Sequence, residues 1–388
     1  MKAVFLQSTN IISPLGNTTE ENFVGVNSGM RGVKLHAPGM LTQSEMHASL
    51  FPAEQISYLE EKLQTKKKLS KFELLLIASV NDALNYCDVD ASSEKTVFIV
   101  STTKGNIDEL DQATPSDFAI EKLELYPSAK LLADFYKNPN DPLVISNACI
   151  SGVAAVIVAQ RLLKAGLFEN AIIVGADTIG SFVYSGFHSF QAFSPGFCKP
   201  FSSDRDGINL GEAAATMILS VKGKKSPIAE IENILIGEGS MSNDANHISG
   251  PSRTGEELVI SIRKVLNFNQ LNPSEIGLLS AHGTATPYND EMEAKAIHFA
   301  GLENVPLNSL KGYFGHTLGA AGLLESIISI ESMKKGLILA SKGFSIGGMD
   351  PLVNVCSQSI SKEYQHCVKM ASGFGGCNAV IVYSKKII

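Results

Sequence analysis

Short, evenly apolar runs alternate with longer helical patterns along most of the chain. TVFIVST (96–102), PLVIS (142–146), NAIIVGA (170–176), AATMILS (214–220), IGLLSA (276–281) and AVIVYS (379–384) read as buried strands. FELLLIASVNDALNYC (72–87) and SGVAAVIVAQRLLKAG (151–166) are long enough for helices. The alternation predicts α/β layers. The second helix is apolar on nearly every face as far as Gln160, which predicts a buried central helix. LKGYFGHTLGAAGLLESIISIESMKKG (310–336) repeats that layout, a glycine-rich turn running into an apolar helix. No period exists at residue level, so the expected duplication is architectural. KGKKSP (222–227) interrupts the apolar pattern and marks the expected boundary between halves 1–225 and 226–388.

Composition narrows the class. Of 388 residues, 44% are apolar and 18% charged, as in a protein with a large core. A net charge of −7 offers no broad basic surface, so nucleic acid is not an expected partner. The six cysteines are scattered and form no C-x-x-C, which argues against a zinc site or a disulfide framework and for reduced thiols. The first residues hold a four-residue apolar run, Ala3 to Leu6, too short for a signal-peptide core. The apolar run Val153 to Ala159 falls far below the roughly 18 residues of a membrane span. A cytoplasmic protein without membrane contact is the expectation.

Four glycine-rich turns each deliver a reactive or polar residue: NACISG (147–152), AHGTATPYND (281–290), KGYFGHTLGAAG (311–322) and ASGFGGCNA (371–379). Only eight histidines occur, yet His282 and His316 both sit in such turns. For any one of these residues a structural role is the plainer reading; one thiol and two histidines on three such turns point to chemistry. Cys149 is the best-placed nucleophile. With a helix starting near Ile150, free amides and the dipole would favour its thiolate. Cys377, in its own glycine turn, is the competitor. Phosphate-cradle and H-E-x-x-H motifs are absent, so neither a nucleotide nor a metal is expected. Glu325 lies inside the apolar helix LLESIISI and needs a cation, for which Lys311 is the nearest candidate.

Taken in order, the turns resemble those of the β-ketoacyl-[acyl carrier protein] synthases of the elongating Cys-His-His class. SPLGNTTEENF (13–23) and KPFSSDRDGINLGEAAA (199–215) are similar to family segments too. The resemblance covers nearly the whole chain. It implies the thiolase fold, five layers αβαβα from two duplicated halves, usually a homodimer. Cys149 would accept the acyl group, and His282 and His316 would bind malonyl thioester and drive its decarboxylation. Lys311 would pair with Glu325. Phe374 resembles the family's gate, its amide and that of Cys149 forming an oxyanion hole, with Gly375 and Gly376 in the same substrate-binding turn. Thr284 and Thr286 resemble the threonines that bind the phosphopantetheine arm. No cofactor is implied beyond that arm, carried by the acyl carrier protein.

The nucleophile turn reads CISG where the family commonly has CATG or CATS, so Ile150 places bulk beside the thiol. FIVSTTKGNID (98–108) lacks a glycine pair often found there. These departures bear on acyl-chain preference and admit a pathway-dedicated synthase, for example one making aryl polyenes. A non-catalytic chain-length factor shares the fold and forms a heterodimer with a synthase, but normally lacks the nucleophile. Thiolases and initiating synthases use other constellations, and a papain-like protease would not need the second histidine turn. For carrier docking, Lys66, Lys67, Lys68 and Lys71 in QTKKKLSKF (64–72), with Lys199, form the expected basic surface. The bland alternative is a solvated helix start.

Overall fold

The computed structural model describes residues 2–39, 41–111, 120–223, 232–244 and 252–387. The expected boundary at 225 lies outside them.

Ten strands divide into two sets of five. The first set is Phe5–Ile12, Thr96–Ser101, Leu143–Ile145, Asn170–Asp177 and Ala213–Ser220; the second is Glu232–Asn243, Ile276–Ser280, Leu307–Asn308, His366–Gly373 and Cys377–Ile387. Counted in chain order within its own set, each sheet has the spatial order third, second, fourth, fifth, first. In each, the second strand runs parallel to the third and fourth, and the fourth–fifth and fifth–first pairs are antiparallel. Identical order and polarity establish the duplication that residue patterns only hint at. The two sheets join at one pair, Phe5 with Leu235.

The layers follow from the period-2 alternation of strand side chains. Val97, Ile99, Ala171 and Ile173 face an inner core that also holds Cys367, Ala371, Ala379 and Ile381 of the second sheet. Their neighbours Phe98, Val100, Ile172 and Val174 face an outer core under helices Lys71–Leu84 and Leu125–Phe135. On the far side Leu279, Val368, Met370 and Val380 pack under helices Glu256–Phe268 and Pro287–Phe299. Two helices, Ser151–Lys164 and Ala321–Lys334, fill the inner layer. The result is the five-layered αβαβα thiolase fold. Among the described residues, no helix is long and apolar enough to cross a membrane.

The expected strands form within a few residues of their predicted ends. The helix expected over 72–87 starts at Lys71, behind a capping box of Ser70 and Glu73, and ends at Leu84. The central helix ends at Lys164, two residues early, because Gly166 turns to φ +78.

The two inner helices touch through glycine. A Cβ on Gly152 would stand 2.6 Å from the Leu323 backbone nitrogen, and one on Gly322 would stand 2.8 Å from that of Val153. Rigid backbone on both sides leaves nothing to yield. Gly152→Ala is therefore expected to lower unfolding free energy by about 1–3 kcal/mol, typical of core overpacking. A denaturant midpoint equal to the parent's would contradict this contact.

Candidate active site

Each reactive residue sits where a strand or turn meets the start of a helix. Ala148, at φ +44, bends the chain sharply after the strand Leu143–Ile145. Ser151 Oγ accepts the Asn147 N–H at 2.8 Å and donates to the Ala148 carbonyl at 2.6 Å, which closes the turn. Cys149 is thereby presented one residue before the Ile150 cap of its helix. His316 precedes the second inner helix, its N–H donating to the Asn209 carbonyl at 2.7 Å. His282 follows the strand Ile276–Ser280. Its N–H and that of Gly283 donate to the two oxygens of Glu293, each at 2.7 Å.

These three turns converge. The Cys149 sulfur and nitrogens of both imidazoles lie within 4.8 Å of one another, and the rings meet edge-on at 5.1 Å. All three side chains are buried. His282 Nδ1 and both ring nitrogens of His316 have no hydrogen-bond partner among the described residues. Unsatisfied buried polar atoms in a native structure need an explanation, and a substrate oxygen supplies one.

Electrostatics fixes the protonation states. Burial pushes both imidazoles well below their ordinary range, and the ammonium of Lys311 is the next cause, with Lys369 adding to it. Both histidines are therefore neutral at pH 7. The thiolate expected at the helix start is corrected: burial pushes the Cys149 thiol up to about 11, outweighing Lys311 and the Phe374 N–H, which favour thiolate. Cys149 rests as a thiol and needs a base, and a neutral imidazole is within reach.

Lys311 pairs with Glu325 as expected, Nζ to Oε1 at 2.6 Å. A second ammonium was not foreseen: Lys369 Nζ lies 2.6 Å from Glu325 Oε2. Its only trace in the sequence is a lysine inside the strand HCVKMASG. Glu293, close in sequence to His282, is not a solvated carboxylate but a buried anchor of the histidine turn, and burial raises its carboxyl to about 7. A metal ion could reach the Cys149, His282 and His316 donors, but the ammonium groups of Lys311 and Lys369 beside them oppose a dication.

A cavity of about 520 Å³ opens from the thiol, lined among others by His282, His316, Thr284, Thr286 and Phe374. The two threonine hydroxyls lie 2.8 Å apart. Phe374, 40% exposed, packs against Phe187 and Phe190 at the mouth. Gly375 and Gly376 do not line the cavity; their positive φ values shape the turn that aims Phe374. Gly373 lets that turn approach, since a Cβ there would stand 3.0 Å from the Cys149 nitrogen. The competitor Cys377 is buried outside the lining, its thiol against the Phe374 carbonyl.

The proposed docking lysines separate. Lys66, Lys67 and Lys68 are exposed. Lys71 is corrected: its Nζ lies 2.7 Å from the buried Glu212 carboxylate, so it is a structural cation. Lys199 is held by Asp204 at 2.8 Å.

Residues 63–224 match the model of the β-ketoacyl synthase N-terminal domain, and residues 234–345 that of the C-terminal domain. A mitochondrial 3-oxoacyl-[acyl-carrier-protein] synthase of Arabidopsis thaliana is 25% identical, over 99% of this chain and 93% of the relative. The 3-oxoacyl-[acyl-carrier-protein] synthase 2 of Vibrio cholerae is 26% identical over 99% of both. Among solved structures, the ishigamide ketosynthase/chain length factor superposes with a TM-score of 0.86 at 22% identity, over 99% of both chains. A ketosynthase solved with its chain length factor from Xenorhabdus doucetiae gives 0.82 at 25% identity, over 99% of this chain and 98% of the other.

The Lys311–Glu325–Lys369 cluster yields a direct test. Removing the single carboxylate strands two buried ammonium groups, and breaking such a pair costs about 3–5 kcal/mol. Glu325→Ala is expected to lose that much in chemical denaturation. An unchanged midpoint would mean the cluster is not charged as drawn.

Proposed function

The chain belongs to the β-ketoacyl synthase family, and from that premise we propose that it is a 3-oxoacyl-[acyl carrier protein] synthase that lengthens an acyl chain by two carbons. The observation that carries this reading is the convergence of Cys149, His282 and His316 at the floor of one cavity.

The proposed reaction has three steps. A neutral imidazole takes the Cys149 proton as the sulfur attacks the acyl thioester, and the carrier thiol leaves with that proton. The N–H groups of Cys149 and Phe374 would donate to the oxygen of the tetrahedral intermediate. Malonyl thioester then enters, its thioester oxygen accepting from the imidazoles. Their N–H groups stabilise the enolate as the C–C bond to the carboxylate breaks and CO2 departs. The enolate carbon attacks the acyl-cysteine, and the sulfur leaves as thiolate and regains a proton. Acyl-carrier, malonyl-carrier and one proton give 3-oxoacyl-carrier, CO2 and free carrier thiol. The balance requires no redox or metal cofactor; the phosphopantetheine arm arrives with the carrier, and Thr284 and Thr286 line its path.

The partner we propose is an acyl carrier protein. The assembly we propose is a homodimer; likeness to ketosynthase–chain length factor structures supports a heterodimer with a related subunit as the second reading. Six free thiols suit the reducing cytoplasm. A non-catalytic subunit is disfavoured because this chain holds a nucleophile and both histidines.

Cys149→Ala is expected to abolish acyl loading, read by intact-protein mass spectrometry, while CO2 release from malonyl-carrier survives. His282→Ala and His316→Ala should each slow that release by roughly 10²–10⁴. Parent-rate decarboxylation in both histidine variants would overturn the mechanism.

Docking is tested separately. Exposed ion pairs contribute about 0.2–1 kcal/mol each, so reversing Lys67 and Lys68 to Glu should raise KM for acyl-carrier roughly 2–30-fold. Added salt should weaken the parent's carrier affinity, since such charges are screened over about 10 Å at 0.1 M. Activity on a small acyl-pantetheine should not change. Equal losses on both substrates would show that these lysines serve the fold.

A further inference from the structure

Lys369 is fully buried on the strand His366–Gly373. Val368 and Met370 face the outer core, so strand alternation turns Lys369 inward, with Cys367 and Ala371, toward the helix Ala321–Lys334. Its Nζ meets three oxygens: Glu325 Oε2 at 2.6 Å, the Ala281 carbonyl at 3.0 Å and the Ser280 carbonyl at 3.3 Å. The last two belong to the peptide groups immediately before His282. Glu325 already has Lys311 as a counter-ion on its other oxygen. Glu325 is thus shared by two ammonium groups. Burial, with Lys311, lowers the proton affinity of Lys369, while Glu325 and the more distant Glu293 favour its charged form. An apolar side chain could fill the same space without the desolvation cost of a charge.

We propose that Lys369 is a positioning residue for the decarboxylation step, tying down the turn that carries His282 and placing an extra positive charge behind both imidazoles. This rests on the synthase reading above and deepens it. The charge acts twice. It favours the enolate oxygen that develops against the imidazole N–H groups. It also keeps the imidazoles neutral. A protonated imidazole would hold the malonyl carboxylate as an ion pair, stabilising the ground state against loss of CO2.

The charges acting on the imidazoles are the ammonium groups of Lys311 and Lys369, and Glu325 pairs with both. Glu293 accepts the His282 N–H, with Asp290 acting on it in turn. Cys149 lies within 4.8 Å, and Asp206 and Asp244 line the same cavity. Glu293 and Asp290, on the helix Pro287–Phe299, have carboxyls raised by burial to about 7 and about 6. They lose their negative charge on acidification and so do not replace the missing cation. Removing Lys369 therefore raises the proton affinity of the imidazoles, and activity should fade at a higher pH as the solution is acidified.

The test uses the full chain and Lys369→Met, measuring CO2 release from malonyl-carrier across pH beside acyl loading of Cys149. Decarboxylation kcat is expected to fall about 10–100-fold, with the acid limb moved to higher pH and loading within about threefold of the parent. Lys369→Gln keeps donors for the Ala281 carbonyl and Glu325 but not the charge. It should show the same acid-limb shift, and it carries the test if the methionine variant does not fold. Parent-like rates and pH profiles in the folded variants would overturn the proposal, as would a proportional loss of loading. A parent that released no CO2 would overturn the synthase reading itself, whereas parent-like variants of an active enzyme remove only the role of Lys369.

Discussion

The site exists because two buried helices come into backbone contact at Gly152 and Gly322. Each helix belongs to one half of a duplicated architecture, and each begins at a glycine-rich turn. Bringing the helix starts together brings the turns together. Cys149 and His316 are thus neighbours as a consequence of core packing, and the second sheet needs only to deliver His282 from the end of its own strand. Side chains larger than hydrogen at the crossing would separate the helices and, with them, the sulfur and the imidazole. Stability and catalytic geometry share one contact.

Burial does the second half of the work, and it runs against simple expectation. A cysteine at a helix start ought to gain thiolate character. Here desolvation outweighs the Lys311 charge and the Phe374 N–H, so the resting thiol is neutral. The same desolvation, reinforced by Lys311 and Lys369, keeps the imidazoles neutral. A neutral thiol beside neutral imidazoles has its base ready, and neutral imidazoles can donate to a thioester oxygen without trapping a carboxylate. The low-dielectric site selects the protonation states that the proposed chemistry requires.

Much of this was legible in the sequence because buried strands and helices write themselves as continuous apolar runs. The Glu325–Lys311 pair was legible for a related reason: a carboxylate inside LLESIISI stands out against its surroundings. The duplication was visible only as a repeated layout, since matching strand order needs no matching residues. Lys71 misled because its partner, Glu212, lies 141 positions away. Lys369 was invisible as a site residue for the same cause, lying 88 positions from the Ala281 carbonyl that it holds. Glu293 is only 11 positions from His282, but nothing in the sequence separates a buried anchor of that turn from a solvated helix carboxylate. Gly375 and Gly376 were assigned to the ligand, but their dihedral angles serve the turn.

On the proposed mechanism this one chain both accepts an acyl group on Cys149 and transfers it to the carbanion of a malonyl unit. A single-turnover experiment addresses it most directly. The chain is loaded from an acyl-carrier, freed of excess donor, and mixed with malonyl-carrier while protein and carrier masses and CO2 are followed. Cys149 should lose its acyl group as one equivalent of CO2 and one 3-oxoacyl-carrier, two carbons longer, appear. An acyl-enzyme that persists, or that releases free acid with no lengthened product, would contradict the mechanism.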